Sequence, residues 1–430
     1  MAVVRPLQAL RYNVERFPDL APVLAPPYDI INAEAQQALY QQDAKNVIRL
    51  EYGQQSPADT AEDNRYTRAR DALQAWLAEG TLVQDAPAGL YPHQQRYAWA
   101  GQHYMRNGFF AAVELQPFEQ GDVLPHEYTL QGPKEDRLKL MHTCLASFSP
   151  VFGLYDGRET GLGEVLRQAM SAAPLATAVG HGFDDTLWRV TDTAVSEAIS
   201  GALSQRQILI ADGHHRYETM LALRNLLRRE YPTAPAHAAF NYVLMLLVDV
   251  NDPGLLVLPT HRLLLLTPEM ALAFCRVAGS KFTLEKLAVS QPEQVTEILA
   301  RHQSAHAFIW YAGEGQYTLL TSPKTSKNGL PVIDVVALQE RIIAPLLALD
   351  PAGDATVESH VRYTVQPAEA VRRVDSGESA GALFLNPTPV AEVLRLAAHG
   401  VRMPQKSTYF YPKVPTGLVM HHLRPEVTVG

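Results

Sequence analysis

One stretch of this chain, ILIADGHHRYETM at 208–220, limits its possible folds more than any other. A run of isoleucine and leucine ends at Asp212 and Gly213, and a helical pattern starts at once. A buried strand that turns through glycine straight into a helix belongs to α/β architecture. Gly213 permits unusual dihedrals or close backbone approach. If 214–229 is helical, its first N–H groups face the same space as His215 and Arg216, where an anion is favoured. Arg216 suits two-pronged binding of a phosphate or carboxylate. Asp212 suits Mg²⁺ or a proton. The same residues also suit a structural role, with Asp212 capping the helix, Arg216 paired to it one turn on, and His214 and His215 satisfied in place. Zinc fits poorly, since adjacent histidines lack one-turn spacing and no Cys/His set completes a site.

Two further polar clusters could join it. PHEYTLQGPKEDRLK at 125–139 places His126 and Glu127 in a loop, with Lys134 and Arg137 nearly one turn apart in a helix expected from Pro133 to Ala146. Lys134 and Arg137 suit phosphate oxygens, and His126 or Glu127 a proton shuttle. A solvated charged loop is the alternative. KSTYFYPK at 406–413 mixes Lys406, Ser407, Thr408 and Lys413 with aromatics. If the segment is extended, Lys406 and Thr408 share one face; a plain surface strand is the alternative. None of these is a Walker loop or a dinucleotide fingerprint.

The rest of the chain alternates between helical and strand patterns. DNRYTRARDALQAWLAEG at 63–80 reads as a helix closed by Gly80. NVIRLEY reads as a strand, and 89–118 as a hairpin turning at Asn107-Gly108. APPYDII at 25–31 is a rigid entry that either wraps the N-terminus or sets Tyr28 and Asp29 at a cleft. FNYVLMLLVDV is too short to span a membrane and reads as a buried strand. VVALQERIIAPLLALD and PTPVAEVLRLAAHG read as helices. The expected fold is therefore α/β in the mixed α+β sense. Residues 1–250 form a main α/β domain with the HE/KEDR and DGHHR motifs. Residues 251–430 form a smaller α+β region ending in KSTYFYPK, which could return to the same cleft.

Composition narrows function. The 430 residues are 47% hydrophobic, ample for two domains. A net charge of -8 argues against nucleic acid or anionic membrane as partner, while a small anionic metabolite stays open. Cys144 and Cys275 sit in apolar surroundings, which predicts core packing and no disulfide scaffold. MAVVRPLQALRYN lacks a long apolar run, so a cytoplasmic chain is expected.

Together, APPYDII, NVIRLEY, PHEYTLQGPKEDRL, SPVFGLYD, ADGHHRYETM and MPQKSTYFYPKVPTGL resemble the bacterial and archaeal domain-of-unknown-function 1015 family over nearly the whole chain. A shorter resemblance carries chemistry. DGHHR is similar to the Asp-Gly-His-x-Arg signature of free serine kinases in the ParB/sulfiredoxin-like superfamily. It implies a ParB/sulfiredoxin-like element here, with Asp212 as the acid, Gly213 as the turn, and His214 and Arg216 on phosphate. His215 stands where that pattern has another residue. The kinases' catalytic glutamate has two candidates, Glu51 and Glu127. The resemblance implies ATP or ADP as phosphate donor, Mg²⁺ at Asp212, and a small hydroxyl metabolite as acceptor. Two other functions use the same residues: a phosphatase in which His214 or His215 activates water, and a non-enzymatic nucleotide or metabolite binder.

Overall fold

The computed structural model describes residues 2–129, 131–180, 182–349 and 356–430. It divides into two compact units. The first holds Met1–Pro125, Thr129–Leu256 and Pro412–Gly430; the second holds His126–Tyr128 and Val257–Tyr411. Each is described by itself. KSTYFYPK is divided between them, with Lys406, Ser407 and Thr408 in the second unit and Lys413 in the first. No described helix is long and apolar enough to cross a membrane.

The first unit is built on a mixed sheet. Its strands run in the order Val123–Leu124, Ile208–Asp212, Val151–Tyr155, Tyr242–Asp249, Gln102–Glu114, Tyr91–Trp99, Phe183–Leu187 and Ala176–Gly180, with Val4–Arg5 beside Gln102–Glu114. Ile208–Asp212 pairs in parallel with Val123–Leu124, and Tyr242–Asp249 with Val151–Tyr155; the other pairs are antiparallel. All of Val151–Tyr155 is buried, as is Tyr242–Asp249 up to its last residue. That explains their unbroken apolar sequences, since a strand covered on both faces needs no alternation.

On one face, Ile208, Ile210, Val243, Met245 and Leu247 pack with Tyr217, Met220, Leu223 and Leu227 of the helix His214–Glu230. The helices Leu162–Ala169 and Thr193–Leu203 add Leu162, Leu166, Ile199 and Leu203 to the same core. A small antiparallel sheet completes the unit, in the order Leu82–Gln84, Ala9–Tyr12, Met420–His422 and Ala146–Ser147.

The second unit carries an antiparallel sheet in the order Thr283–Leu287, Tyr317–Pro323, Ala305–Tyr311, Gly381–Leu385, His261–Leu264 and Val361–Thr364. The helices Gln294–Ala300 and Pro367–Asp375 supply Val295, Leu299, Ala370 and Val374 to its core.

Three expectations change. NVIRLEY is helical over Ile48–Glu51. Buried Asn46 decides this: its carboxamide accepts the Ile48 N–H at 2.9 Å and donates to the carbonyls of Pro22 and Leu24, a local bond that favours a helical start over a ladder. The hairpin turns at Ala100-Gly101, and Asn107 and Gly108 lie within the strand Gln102–Glu114. Gly108 answers a different need, because a Cβ there would stand 2.6 Å from the Leu247 carbonyl oxygen. Cys275 is exposed on the helix Pro268–Gly279, which turns Met270, Ala273, Phe274 and Ala278 inward; Cys144 is buried as expected.

Candidate functional site

The strand Ile208–Asp212 and the helix His214–Glu230 meet at Gly213, whose φ of +90° lies in the left-handed region. Just before that turn the register against Val151–Tyr155 slips, with Ile210 opposite Gly153 but Asp212 opposite Phe152. Facing partners share a side of the sheet. The irregularity thus moves Asp212 off the Ile208/Ile210 side, which helices cover, to the side of Phe152.

Asp212 holds two cations there. Arg216, one turn along the helix, donates Nη2 to Oδ2 at 2.6 Å. Lys413 bonds Oδ1. Arg216 also donates Nη1 to the Pro150 carbonyl and is 4% exposed. The three charges sum to one positive charge, beside the first turn of a helix whose first regular bond runs from Tyr217 N–H to the Gly213 carbonyl. N–H groups before that point have no acceptor within the helix. His214 is buried and His215 half-buried. The pairing foreseen as a structural alternative is present, with Gly213 in the N-cap position, and Lys413 adds a second cation.

A second network lies in the same unit. Glu51, 2% exposed, ends the short helix that Asn46 starts. Its Oε1 accepts from Ser149 Oγ at 2.9 Å and stands 3.3 Å from Arg137 Nη1. Arg137 donates to the Glu51 carbonyl at 2.6 Å and to Asp136 Oδ2 at 2.8 and 2.6 Å. Its guanidinium lies over the Tyr28 ring, 4.4 Å from the centroid. Asp136 is held in turn by Tyr66 at 2.7 Å and by Arg65. Burial pushes the Glu51 carboxyl above its ordinary range, and Arg137, the Ser149 hydrogen bond and Arg216 draw it part of the way back. Burial pushes the Tyr28 hydroxyl up to about 12, against the opposing pull of Arg216 and Arg137. Glu51, Tyr28, Arg137 and Arg216 thus share one electrostatic environment.

Arg137, expected to grip phosphate, is therefore the partner of Glu51 and Asp136. Lys134 donates to Glu218 at 2.8 Å and to Thr129 at 3.1 Å, and Thr129 donates to Glu218 at 2.7 Å. Ser149, Asp136, Arg65, Tyr66 and Glu218 were not among the candidates; no spacing rule connects them, since the contacts span 70 to 98 residues.

In the second unit, the remaining candidates form a cluster of their own. Lys406 has φ +55°, and the N–H groups of Lys406, Ser407 and Thr408 all donate to the Glu127 carboxylate, at 3.2, 2.9 and 3.2 Å. Successive N–H groups converging in this way make an anion nest, and here its occupant is the chain's own glutamate. Fully buried His126 stands 2.8 Å from Thr408 Oγ1 through Nε2. His126 and Glu127 meet Lys406, Ser407 and Thr408 within this unit, whereas Lys413 meets Asp212 in the first.

The Mg²⁺ expected at Asp212 does not fit these residues. Each oxygen of Asp212 accepts from a cation, which opposes a divalent ion at the same atoms. Among the described residues, no group of three or more His, Cys, Asp or Glu side chains could hold a metal.

No curated protein matches the chain. Among solved structures, it is similar to a conserved hypothetical protein from Pyrococcus furiosus at 14% identity and TM-score 0.37, covering 72% of this chain and 95% of that one. It is similar to a free serine kinase in complex with AMP at 14% identity and TM-score 0.37, covering 72% and 92%. It is similar to SbnI with C-terminal truncation from Staphylococcus aureus at 9% identity and TM-score 0.34, covering 72% and 85%. A family model described as "Protein of unknown function (DUF1015)" matches residues 4–346, and the chain belongs to that family.

Proposed function

We propose that the first unit binds an adenine nucleotide or similar phosphorylated molecule at Asp212–Arg216 and transfers a phosphoryl group to the hydroxyl of a small metabolite such as serine. The observation that carries this reading is the pair of cations, Arg216 and Lys413, on the two oxygens of Asp212 at the start of a long helix. In this reading the strand, the Gly213 turn and the helix form a ParB/sulfiredoxin-like element, as the Asp-Gly-His-x-Arg pattern suggests.

Phosphoryl transfer asks little covalent chemistry of a protein; placement and charge neutralisation do most of it. Arg216 and Lys413 stabilise charge on the phosphate oxygens, and the first turn of the helix orients them. His214 and His215 flank that turn as further phosphate contacts. Glu51 accepts the acceptor's proton: its buried carboxylate is a stronger base than an exposed one. Arg137 and Ser149 hold it in place. The acceptor oxygen bonds to phosphorus, the bond to the leaving phosphate oxygen breaks, and the proton stays on Glu51. Any Mg²⁺ travels on the nucleotide as part of the substrate, and no step runs through it. The reading leaves out His126, Glu127, Lys406, Ser407 and Thr408, which bond one another in the second unit.

The test is a thermal-shift series with ATP, ADP, pyrophosphate, serine and phosphoserine, each with and without Mg²⁺, followed by phosphorus NMR for product. A ligand that prefers the folded state raises Tm. The expected result is a rise with ATP or ADP that Arg216→Ala removes, and phosphoserine formation that Glu51→Gln removes. No rise with any phosphate compound, or a rise kept by both Arg216→Ala and Lys413→Ala, overturns the reading. A rise with phosphoserine alone points to hydrolysis or sensing.

A further inference from the structure

The second unit contains a cavity of about 540 Å³ that the proposed chemistry does not use. Small-molecule sites commonly measure ~300–1,000 Å³ and combine apolar walls with a few polar groups. This cavity follows that plan. Ile333, Val336, Leu396 and Met403 give it apolar walls, and Gln339, Glu340, Lys327 and Arg402 supply the polar groups.

Its three sides are built differently. One is a helical stretch that changes pitch: Asp334–Leu338 is α-helical and Gln339–Ile343 is a π-helix. Val336 comes from the regular part, and Gln339 and Glu340 from the π segment. π segments are rare and concentrate at functional sites. The second side is fixed by backbone bonds, from Met403 N–H to the His126 carbonyl at 2.8 Å and from Tyr128 N–H to the Met403 carbonyl at 3.4 Å. The third is the small hairpin of Ser326–Lys327 and Leu330–Pro331, turned through Asn328 and Gly329 at φ +53° and +77°. It brings Lys327 and Leu330 to the rim.

Among the described residues, the lining includes the cations Lys327 and Arg402 and the carboxylate Glu340, which stands 3.8 Å from Lys327. Tyr128 is 59% exposed at the cavity, with the Arg402 guanidinium 5.9 Å from its ring centroid. An exposed aromatic face beside a guanidinium suits a flat apolar ring bearing a negative group.

We infer that this cavity binds a small planar apolar molecule carrying one anionic group, with the rings against Val336, Leu330 and Tyr128 and the anion toward Arg402. The site lies in the second unit and stands or falls independently of the phosphoryl chemistry.

The experiment is a fluorescence titration of the full chain with anilinonaphthalene sulfonate, and in parallel with phenyl-naphthylamine, which keeps the rings and lacks the sulfonate. The expected result is one saturable site for each probe. Val336→Trp fills the cavity and weakens both by at least about tenfold. Leu330→Trp, on the hairpin, does the same and serves as the second variant should Val336→Trp lower Tm. Arg402→Gln weakens the sulfonate probe by about tenfold and leaves the neutral one within about twofold. Leu272→Ala, at a side chain 85% exposed on another helix, changes neither. Unchanged affinity in both Trp variants, or loss of binding in Leu272→Ala, overturns the assignment. Equal weakening of both probes by Arg402→Gln overturns its anionic part.

Discussion

Arg216 Nη2 stands 2.6 Å from Asp212 Oδ2, and Gly213 between them is shaped to let that happen. A Cβ on Gly213 would meet Arg216 Nε at 3.0 Å. The glycine therefore sets both the turn from strand to helix and the clearance for the guanidinium. Gly213→Ala is expected to cost about 1–2 kcal/mol for a left-handed residue with a Cβ. It should also weaken nucleotide binding by displacing Arg216. Urea unfolding and a nucleotide titration on one preparation check both effects; lost stability with undiminished affinity would show that the clearance is irrelevant to ligand.

Arg216→Ala removes one partner of a largely buried pair and leaves Asp212 with Lys413. Breaking buried pairs costs ~3–5 kcal/mol, and the surviving lysine places this case near the lower end. The urea midpoint should fall accordingly. Lys413→Met, removing the more accessible cation, should cost less stability but a comparable share of phosphate affinity.

If Glu51 is the proposed base, Glu51→Gln separates binding from chemistry. Nucleotide affinity should hold within about twofold, while turnover falls by about 10²–10⁴, the usual worth of a positioned base. Stability carries a second signature. Burial raises the Glu51 pKa in the fold, so its protonated form favours folding below the ordinary carboxylate range. That contribution is lost as pH rises through the raised value. The stability of wild type relative to Glu51→Gln should therefore fall as pH climbs from 4 toward neutrality, as read from urea midpoints.

His421 and His422 give the opposite slope. Burial lowers each to about 4 in the fold. Their contribution is complete above the ordinary histidine value of ~6.5 and is lost as pH falls through the lowered value, amounting to about 3 kcal/mol for one such shift. His422→Gln should flatten the loss of stability between pH 6.5 and 4, and a slope identical to wild type would contradict the assignment.

Glu127→Ala empties the nest made by the Lys406, Ser407 and Thr408 N–H groups. The variant should lose about 1–3 kcal/mol through unsatisfied donors. Millimolar phosphate or sulfate should restore part of that loss with saturation, and chloride should do so less well. A melting temperature indifferent to these anions would exclude the nest as an anion site.

What could be read from sequence followed the range of the physical signal. The strand, Gly213 turn and helix at 208–230 were legible because periodicity and glycine act locally. The helix Arg65–Ala78, with Asn64 capping and Gly80 at φ +74°, was legible for the same reason. NVIRLEY was not, since Asn46 overrides its alternation by bonding carbonyls 22 and 24 residues back. Gly108 looked like a turn because only the strand beside it, not its own neighbours, reveals why a side chain is excluded. In the site, Asp212 and Arg216 are four residues apart and visible together, whereas Lys413 reaches Asp212 across 201 residues. HE and KST each looked like ligand-binding clusters; nothing in either says that one carboxylate fills the other's backbone.

Met420–His422 lies between Ala9–Tyr12 and Ala146–Ser147 in the small sheet, and Lys413 sits just upstream. A ribosome makes these residues after the whole of Val257–Tyr411. The second unit's sheet can therefore close while the first still has a gap between two strands. During that interval Asp212 has no Lys413. Translation that stops before residue 412 yields a product with a finished second unit and a first unit that lacks both a middle strand and a charge. Such truncated chains should be rich in open strand edges and lack one of the two cations on Asp212, a combination that favours their removal by proteases over their persistence.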